Sequence, residues 1–155
     1  RIHTLPMSWG SHDFTCIVTY VPCAAYSTQR TFITSHLTDV AATPGLQIWS
    51  GDFNFVTSPL LDCLRGGHHR DGNVAAHFDL VCPGLCDPFR ALHPRTRHYT
   101  RVARSSAARL DRVMVTDTLL QYISAAKIYG GYPSDHRIAV TRLSPAAPLR
   151  VGPGM

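Results

Sequence analysis

The chain has 155 residues, 45% of them hydrophobic, and its fifteen Lys and Arg against ten Asp and Glu give a net charge of +5 and a pI near 9.2. That length fits one domain or a large piece of one. No apolar run approaches the ~18 residues needed to cross a bilayer, and Arg1-Ile2-His3-Thr4 does not read as a secretory leader, so the opening without Met is expected to be that of an excised piece.

Lys127 is the single lysine, so nearly all the positive charge is Arg. The planar guanidinium fork suits phosphate, although GC-rich coding would produce the same bias. A basic surface attracts nucleic acid by releasing counterions. The five cysteines are odd in number and irregularly spaced. Only Cys82 and Cys86 are close, and no second pair stands at zinc-finger spacing, so reduced, mostly buried thiols of an intracellular protein are expected.

The chain alternates strand and helix signals. Residues 15–21 are β-rich and run into Pro22. Ser27 or Thr28 is placed to cap a helix whose apolar face is Phe32, Ile33, Leu37 and Val40, with His36 in the same row; Pro44-Gly45 stops it. Residues 46–49 form a short strand that delivers Gly51-Asp52-Phe53-Asn54. Residues 60–64 read as a helical turn, 66–72 as a loop, 74–80 as helix and 87–94 as a connection. A strand begins at residues 99–102, and residues 110–116 are its expected hairpin partner after a turn at 104–107. Asp117 is placed to cap a short helix. Two strands, 125–129 and 137–143, flank a Gly130-Gly131-Tyr132-Pro133 loop. This rhythm argues for an α/β class.

Three motifs place polar groups at strand ends: Gly51-Asp52-Phe53-Asn54, Arg109-Leu110-Asp111 and Ser134-Asp135-His136. Residues two apart on an extended segment face one side, so Asp52 and Asn54 can address one phosphate. Alone, that tetrapeptide also reads as a surface turn. Asp111 lies in an apolar strand, where a carboxylate needs a partner. His136 needs a carboxylate to fix its tautomer, and Asp111 is the candidate; a surface pairing of Asp111 with Arg109 or Arg112 is the alternative. His68, His69, His93 and His98 lack ligand spacing and read as solvated loop residues.

In this order the motifs resemble the endonuclease/exonuclease/phosphatase superfamily of DNase I-like and AP endonuclease-like enzymes, and most of all the endonuclease domain of non-LTR (LINE-type) retrotransposons. The resemblance runs from Cys16 to Leu143 and covers only the later part of such a domain. It implies a DNase I-like α/β sandwich of two packed mixed sheets with outer helices, present here as a partial domain in residues 1–143, with 144–155 a tail or linker. It also implies catalytic roles. Asp52 would activate water, Asn54 would hold the phosphate and Asp52, His136 would contact the phosphate, Asp111 would pair with His136, and Asp135 would lie at the metal. Tyr20-Val21-Pro22 resembles the family's Tyr-x-Pro, in which the Tyr faces the phosphate, but Cys23 stands where the family has Asn. Thr100 and Arg109 match DNA-binding positions. The family's first half, which supplies an Asn and a metal-gripping Glu, has no visible motif here.

The expected activity is Mg²⁺- or Mn²⁺-dependent nicking of DNA in the nucleus, leaving a 3′-hydroxyl. No membrane and no obligate protein partner are implied, and the activity of the chain alone is expected to be feeble. The alternatives are a phosphatase or phosphodiesterase of the same superfamily acting on inositol phosphates or lipids, or a non-catalytic nucleic-acid-binding remnant.

Overall fold

A computed structural model describes residues 1–10, 12–65, 69–131 and 133–144. Its centre is a five-stranded mixed sheet ordered β1-β2-β3-β7-β4. The strands are β1 (Ile2–Trp9), β2 (His12–Tyr20), β3 (Leu46–Asp52), β7 (Asp111–Thr116) and β4 (Leu85–Cys86). β2 and β3 run parallel because α1 (Tyr26–Ala41) carries the chain back between them; β1 pairs antiparallel with β2, and β7 antiparallel with β3.

Side-chain alternation gives the sheet two unlike faces. Ile17, Trp49 and Met114 point to one side, where they pack with Ile33 and Leu37 of α1 and with Val74 and Phe78 of α3 (His69–Val81). The other face presents Ile48, Val113 and Val115. It is covered by α5 (Asp117–Leu120) and by a hairpin of β8 (Ile123–Tyr129) and β9 (Ile138–Leu143). That cover is partial. On the same side of β1 and β2, Leu5 is 59% exposed and Val18 51%.

Several elements differ from the sequence reading. β1 was not foreseen: its apolar residues alternate with polar ones weakly, and its pairing with β2 decides it. The cap of α1 is Ala25, and neither Ser27 nor Thr28 fills that role; no side chain caps this end. Gln47 secures the other end. It is buried, donates to the carbonyls of Val40 (3.2 Å) and Thr43 (2.6 Å), and accepts from the Trp49 indole at 2.7 Å. The expected loop at 66–72 is helix from His69 onward, while 66–68 lie outside the described residues. The connection at 87–94 contains α4 (Pro88–Leu92). Pro88 sits at its first position, where no N–H is needed, and the Asp87 carboxylate accepts from Arg90 N.

Residues 110–116 are also not a hairpin partner. The hairpin is β5 (Arg101–Ala103) with β6 (Ser106–Ala108), and β7 enters the main sheet. The expected tail, 144–155, lies outside the described residues beyond Ser144. Cys82 is buried as expected, whereas Cys23 is exposed. No helix among the described residues is long and apolar enough to cross a membrane.

A buried charge network joins α2 (Pro59–Asp62), α4 and the start of β7. Asp62 is fully buried, as is Arg109. Arg109 donates to Asp62 from Nε (2.8 Å) and Nη2 (3.2 Å), and its Nη1 lies 2.7 Å from Asp87. Arg90 reaches Asp62 at 2.5 Å. Arg109 therefore braces the interior and does not face DNA. A guanidinium aligned with two carboxylates out of water is held there by their charge. Burial pushes the Asp62 carboxyl up, but the hydrogen bonds and charge of Arg109, with Arg112, outweigh it and leave the net value below 3.8.

Removing one partner strands the other charge. Asp62→Asn is expected to lower stability by about 3–5 kcal/mol, read from the midpoint of urea unfolding. A carboxyl depressed on folding stabilises above its unfolded value and loses that contribution as pH falls through the folded one. The wild-type chain should therefore lose stability below about pH 4, and the Asp62→Asn chain should show a shallower loss there.

Candidate active site

Register sets the site. Tyr20 of β2 lies beside Asp52 of β3, and Asp52 lies directly across from Asp111 of β7. In-register neighbours project to one face, so the row Tyr20, Asp52, Asp111 stands on the side opposite α1. Placing two carboxylates side by side is unfavourable unless something offsets their repulsion.

Three features do so. His136 Nδ1 lies 2.9 Å from Asp111 Oδ2. Asn54 N donates to Asp52 Oδ1 at 2.9 Å. Arg112, on the reverse face of β7, is buried against the Phe53 and Phe55 rings. Its Nη2 donates to the carbonyls of Phe55 and Arg109, while its Nε has no partner among the described residues. Burial, then the charge of Arg109, lowers Arg112 to about 10, so it remains a cation at neutral pH. The Asp52 carboxyl is nevertheless raised. Burial is the main cause and the charge of Asp111 adds to it, against the Asn54 amide, His136 and Arg112.

The loop after β3 is pinned on both sides of Asn54. Phe53 and Phe55 are fully buried, and their rings meet Phe78 at centroid distances of 5.6 Å. Asn54 adopts φ 51°, a left-handed conformation that Asn tolerates. Its side-chain amide donates to Val21 O at 2.8 Å, tying this loop to the one after Tyr20. Gln29 of α1, fully buried, completes the tie by donating to Pro22 O and Asn54 O, both at 3.0 Å. Sequence reasoning missed Gln29. The signal was a polar residue four before Ile33 on the apolar stripe of a helix.

The Ser134-Asp135-His136 loop is held by its own turn and by β5. The Ser134 hydroxyl accepts from His136 N at 3.0 Å. Val102 N donates to Asp135 O at 2.7 Å, and Arg101 and His136 form a bridge. The Asp135 side chain turns to Arg101 Nε at 3.2 Å. Both groups of that pair are largely in water, where such an ion pair is weak.

Of the residues singled out in the sequence, the fold brings together Asp52, Asp111 and His136, with Asn54 and Tyr20 alongside. Each of the three offers one donor atom, all within 4.8 Å of one another. Asp135 is not in that cluster, which departs from its expected role as the metal ligand; the adjacent peptide directs it toward Arg101. Thr100 and Arg109 are corrected as DNA contacts because both are buried. Two of the four histidines, His93 and His98, also differ from expectation. His93 and His98 lie against the Phe89 ring, and His93 Nε2 is 3.0 Å from Ala126 O; His68 lies outside the described residues, and His69 opens α3.

Two carboxylates and an imidazole around one point fit a divalent cation, which takes carboxylate oxygens and keeps water and substrate oxygens for its other positions. All ten acidic residues of the chain are Asp, so no Glu can serve.

No family model matches the sequence, and no curated protein matches it. Solved structures do. An AP endonuclease from Archaeoglobus fulgidus superposes with a TM-score of 0.71 at 19% identity, over 84% of this chain and 61% of that one. A 3′ phosphatase from Neisseria, bound to a product DNA hairpin, gives 0.70 at 16% identity over the same shares. The endonuclease domain of TRAS1, a telomere-specific non-LTR retrotransposon, gives 0.67 at 16% identity, over 92% of this chain and 61% of that one. The fold is thus the DNase I-like α/β sandwich, one used by nucleases and phosphatases that act on phosphoesters. This chain spans about three fifths of the length of those matched structures.

Gly51 shows how tightly the row is packed. It has φ 144°, and a Cβ there would lie 1.8 Å from Thr19 O. Gly51→Ala must separate β2 from β3 and displace Asp52. We expect a loss of more than about 2 kcal/mol, read from the midpoint of urea unfolding.

Proposed function

We propose that this chain is part of a metal-dependent DNA endonuclease of the non-LTR retrotransposon type. The observation that carries the reading is the Asp111–His136 hydrogen bond of 2.9 Å set within 4.8 Å of Asp52. A carboxylate that fixes an imidazole beside a second carboxylate is an arrangement for phosphoester hydrolysis.

Asp52 is the base. Its oxygen not bonded to Asn54 takes the proton of the attacking water, and its raised affinity for protons improves it for that task. His136 has Nδ1 engaged by Asp111, so its Nε2 is the polar atom left for a phosphate oxygen. Asn54 fixes Asp52 through its backbone N–H and anchors the neighbouring loop, and Tyr20 flanks the row at the open edge. Asp111 would hold a divalent cation, Mg²⁺ or Mn²⁺, beside Asp52, with water filling its other positions. That cation would neutralise charge developing on the phosphate. Arg101, Arg104 and Arg137 stand around the His136 loop and its hairpin, a basic rim suited to a DNA backbone. Such an enzyme works on chromosomal DNA, hence a nuclear location, with residues 1–143 as the domain portion and 144–155 as a linker.

Plasmid nicking tests this. Slow, chelator-sensitive conversion of supercoiled to nicked circles is expected from the chain, and Asp52→Ala or His136→Ala should each reduce it by about 10²- to 10⁴-fold. Duplex affinity should fall steeply as salt rises. Nicking that survives both substitutions would overturn the reading. Faster hydrolysis of inositol phosphates than of DNA would move it to a phosphatase of the same fold.

A further inference from the structure

Thr100 joins the two halves of the Asp111–His136 pair through its hydroxyl oxygen and its carbonyl. It is fully buried. Its hydroxyl oxygen accepts from Leu110 N and Asp111 N, both at 2.9 Å, which holds the first residue of β7. Its carbonyl accepts from Arg137 N at 2.6 Å, which holds the residue after His136. Its own N–H donates to Ala108 O at 3.1 Å, which closes the β5–β6 hairpin. Asp111 and His136 are 25 residues apart and come from different parts of the fold, β7 of the main sheet and the loop before β9. Thr100 binds the backbone next to each.

We infer that Thr100 is the positioning residue of this pair: its hydroxyl and carbonyl together set the distance between the Asp111 carboxylate and the His136 imidazole. Two amide donors converging on one hydroxyl fix the β7 end in both direction and depth. Without that acceptor, both partly buried N–H groups lose their partner, and the start of β7 must shift to reach water or another oxygen. Arg101, the next residue along, pairs with Asp135, so β5 grips the His136 loop through its backbone and one side chain. Thr100 touches no substrate; it acts through Asp111 and His136. This deepens the nuclease reading and rests on it, because it assigns the pair its catalytic use.

The test is a spectroscopic signature of the pair, which reports geometry whether or not the chain cuts DNA. In ¹⁵N-histidine-labelled protein, the His136 Nδ1–H held to Asp111 should give a downfield, slowly exchanging proton. It is assigned by its absence from His136→Gln and is lost in Asp111→Ala. Thr100→Val keeps the side-chain shape and removes the acceptor; it should lose that signal or speed its exchange by at least about tenfold while the remaining histidines are unchanged. Thr100→Ser should restore it.

Where Thr100→Val does not fold, Thr100→Ala leaves room for a water to satisfy the two amides, and the same loss is expected. In nicking assays the Val or Ala chain should lower kcat about 10- to 100-fold with little change in KM, and the Ser chain should recover it. A folded Thr100→Val or Thr100→Ala chain that keeps the His136 signal at wild-type exchange would overturn the inference. Failure of the nuclease reading would show instead as a normal signal response to Thr100 substitutions with no Asp52-dependent nicking.

Discussion

Two aspartates stand side by side, at the ends of adjacent antiparallel strands and at one register position, and much of the structure follows from holding them there. Asp52 and Asp111 repel each other, and no stable fold keeps such a pair without compensation. The imidazole of His136, the N–H of Asn54 and the buried guanidinium of Arg112 provide it. These groups come from three separate segments, and each needs its own anchor. Phe53 and Phe55 anchor the Asn54 loop, the Ser134 turn and β5 anchor His136, and Arg112 is sandwiched against aromatic rings. The cluster is therefore held in place by the fold itself, through anchors in three segments.

The second organising element is electrostatic but structural. Arg109 precedes Asp111 by two residues and points inward to Asp62 and Asp87. A basic residue beside a catalytic motif invites a role in binding DNA, yet the charge is consumed inside the protein. Arg112 is likewise buried. Charge counts taken from the sequence therefore overstate the surface available to a polyanion, and the basic rim rests on Arg101, Arg104 and Arg137 instead.

Helices α1 and α3 bury one side of the sheet at Ile17, Trp49 and Met114, whereas the opposite side is covered only where α5 and the β8–β9 hairpin reach it. Leu5, Met7 and Val18 continue the apolar surface outward from Ile48 and Val113. The row Tyr20, Asp52, Asp111 lies on that same side, at the strand ends, so this exposed apolar surface of β1 and β2 borders the site.

The order of its motifs, by resemblance, singled out Asp52, Asn54, Asp111 and His136 together, and the sequence by itself determined the α/β class, the strand that presents Asp52, the helix from Phe32 to Val40 and the need of Asp111 for a partner. These are local facts: hydrophobic period, turn residues, and a carboxylate too costly in an apolar strand to stand alone. The tertiary structure decided the rest. Thr100 and Arg109 sit in a motif region but face inward, and a periodicity argument cannot assign direction to a residue in a short irregular stretch. The pairing of β7 with β3 rather than with β5 depends on contacts some sixty residues apart, as β1 depends on β2 for its existence. Asp135, in the turn before His136, pairs with Arg101 and stays out of the Asp52–Asp111–His136 cluster. Gln29 became visible only when the α1 stripe met the Asn54 loop. Direction, register and long-range pairing arise from packing between distant segments, and no window of neighbouring residues contains them.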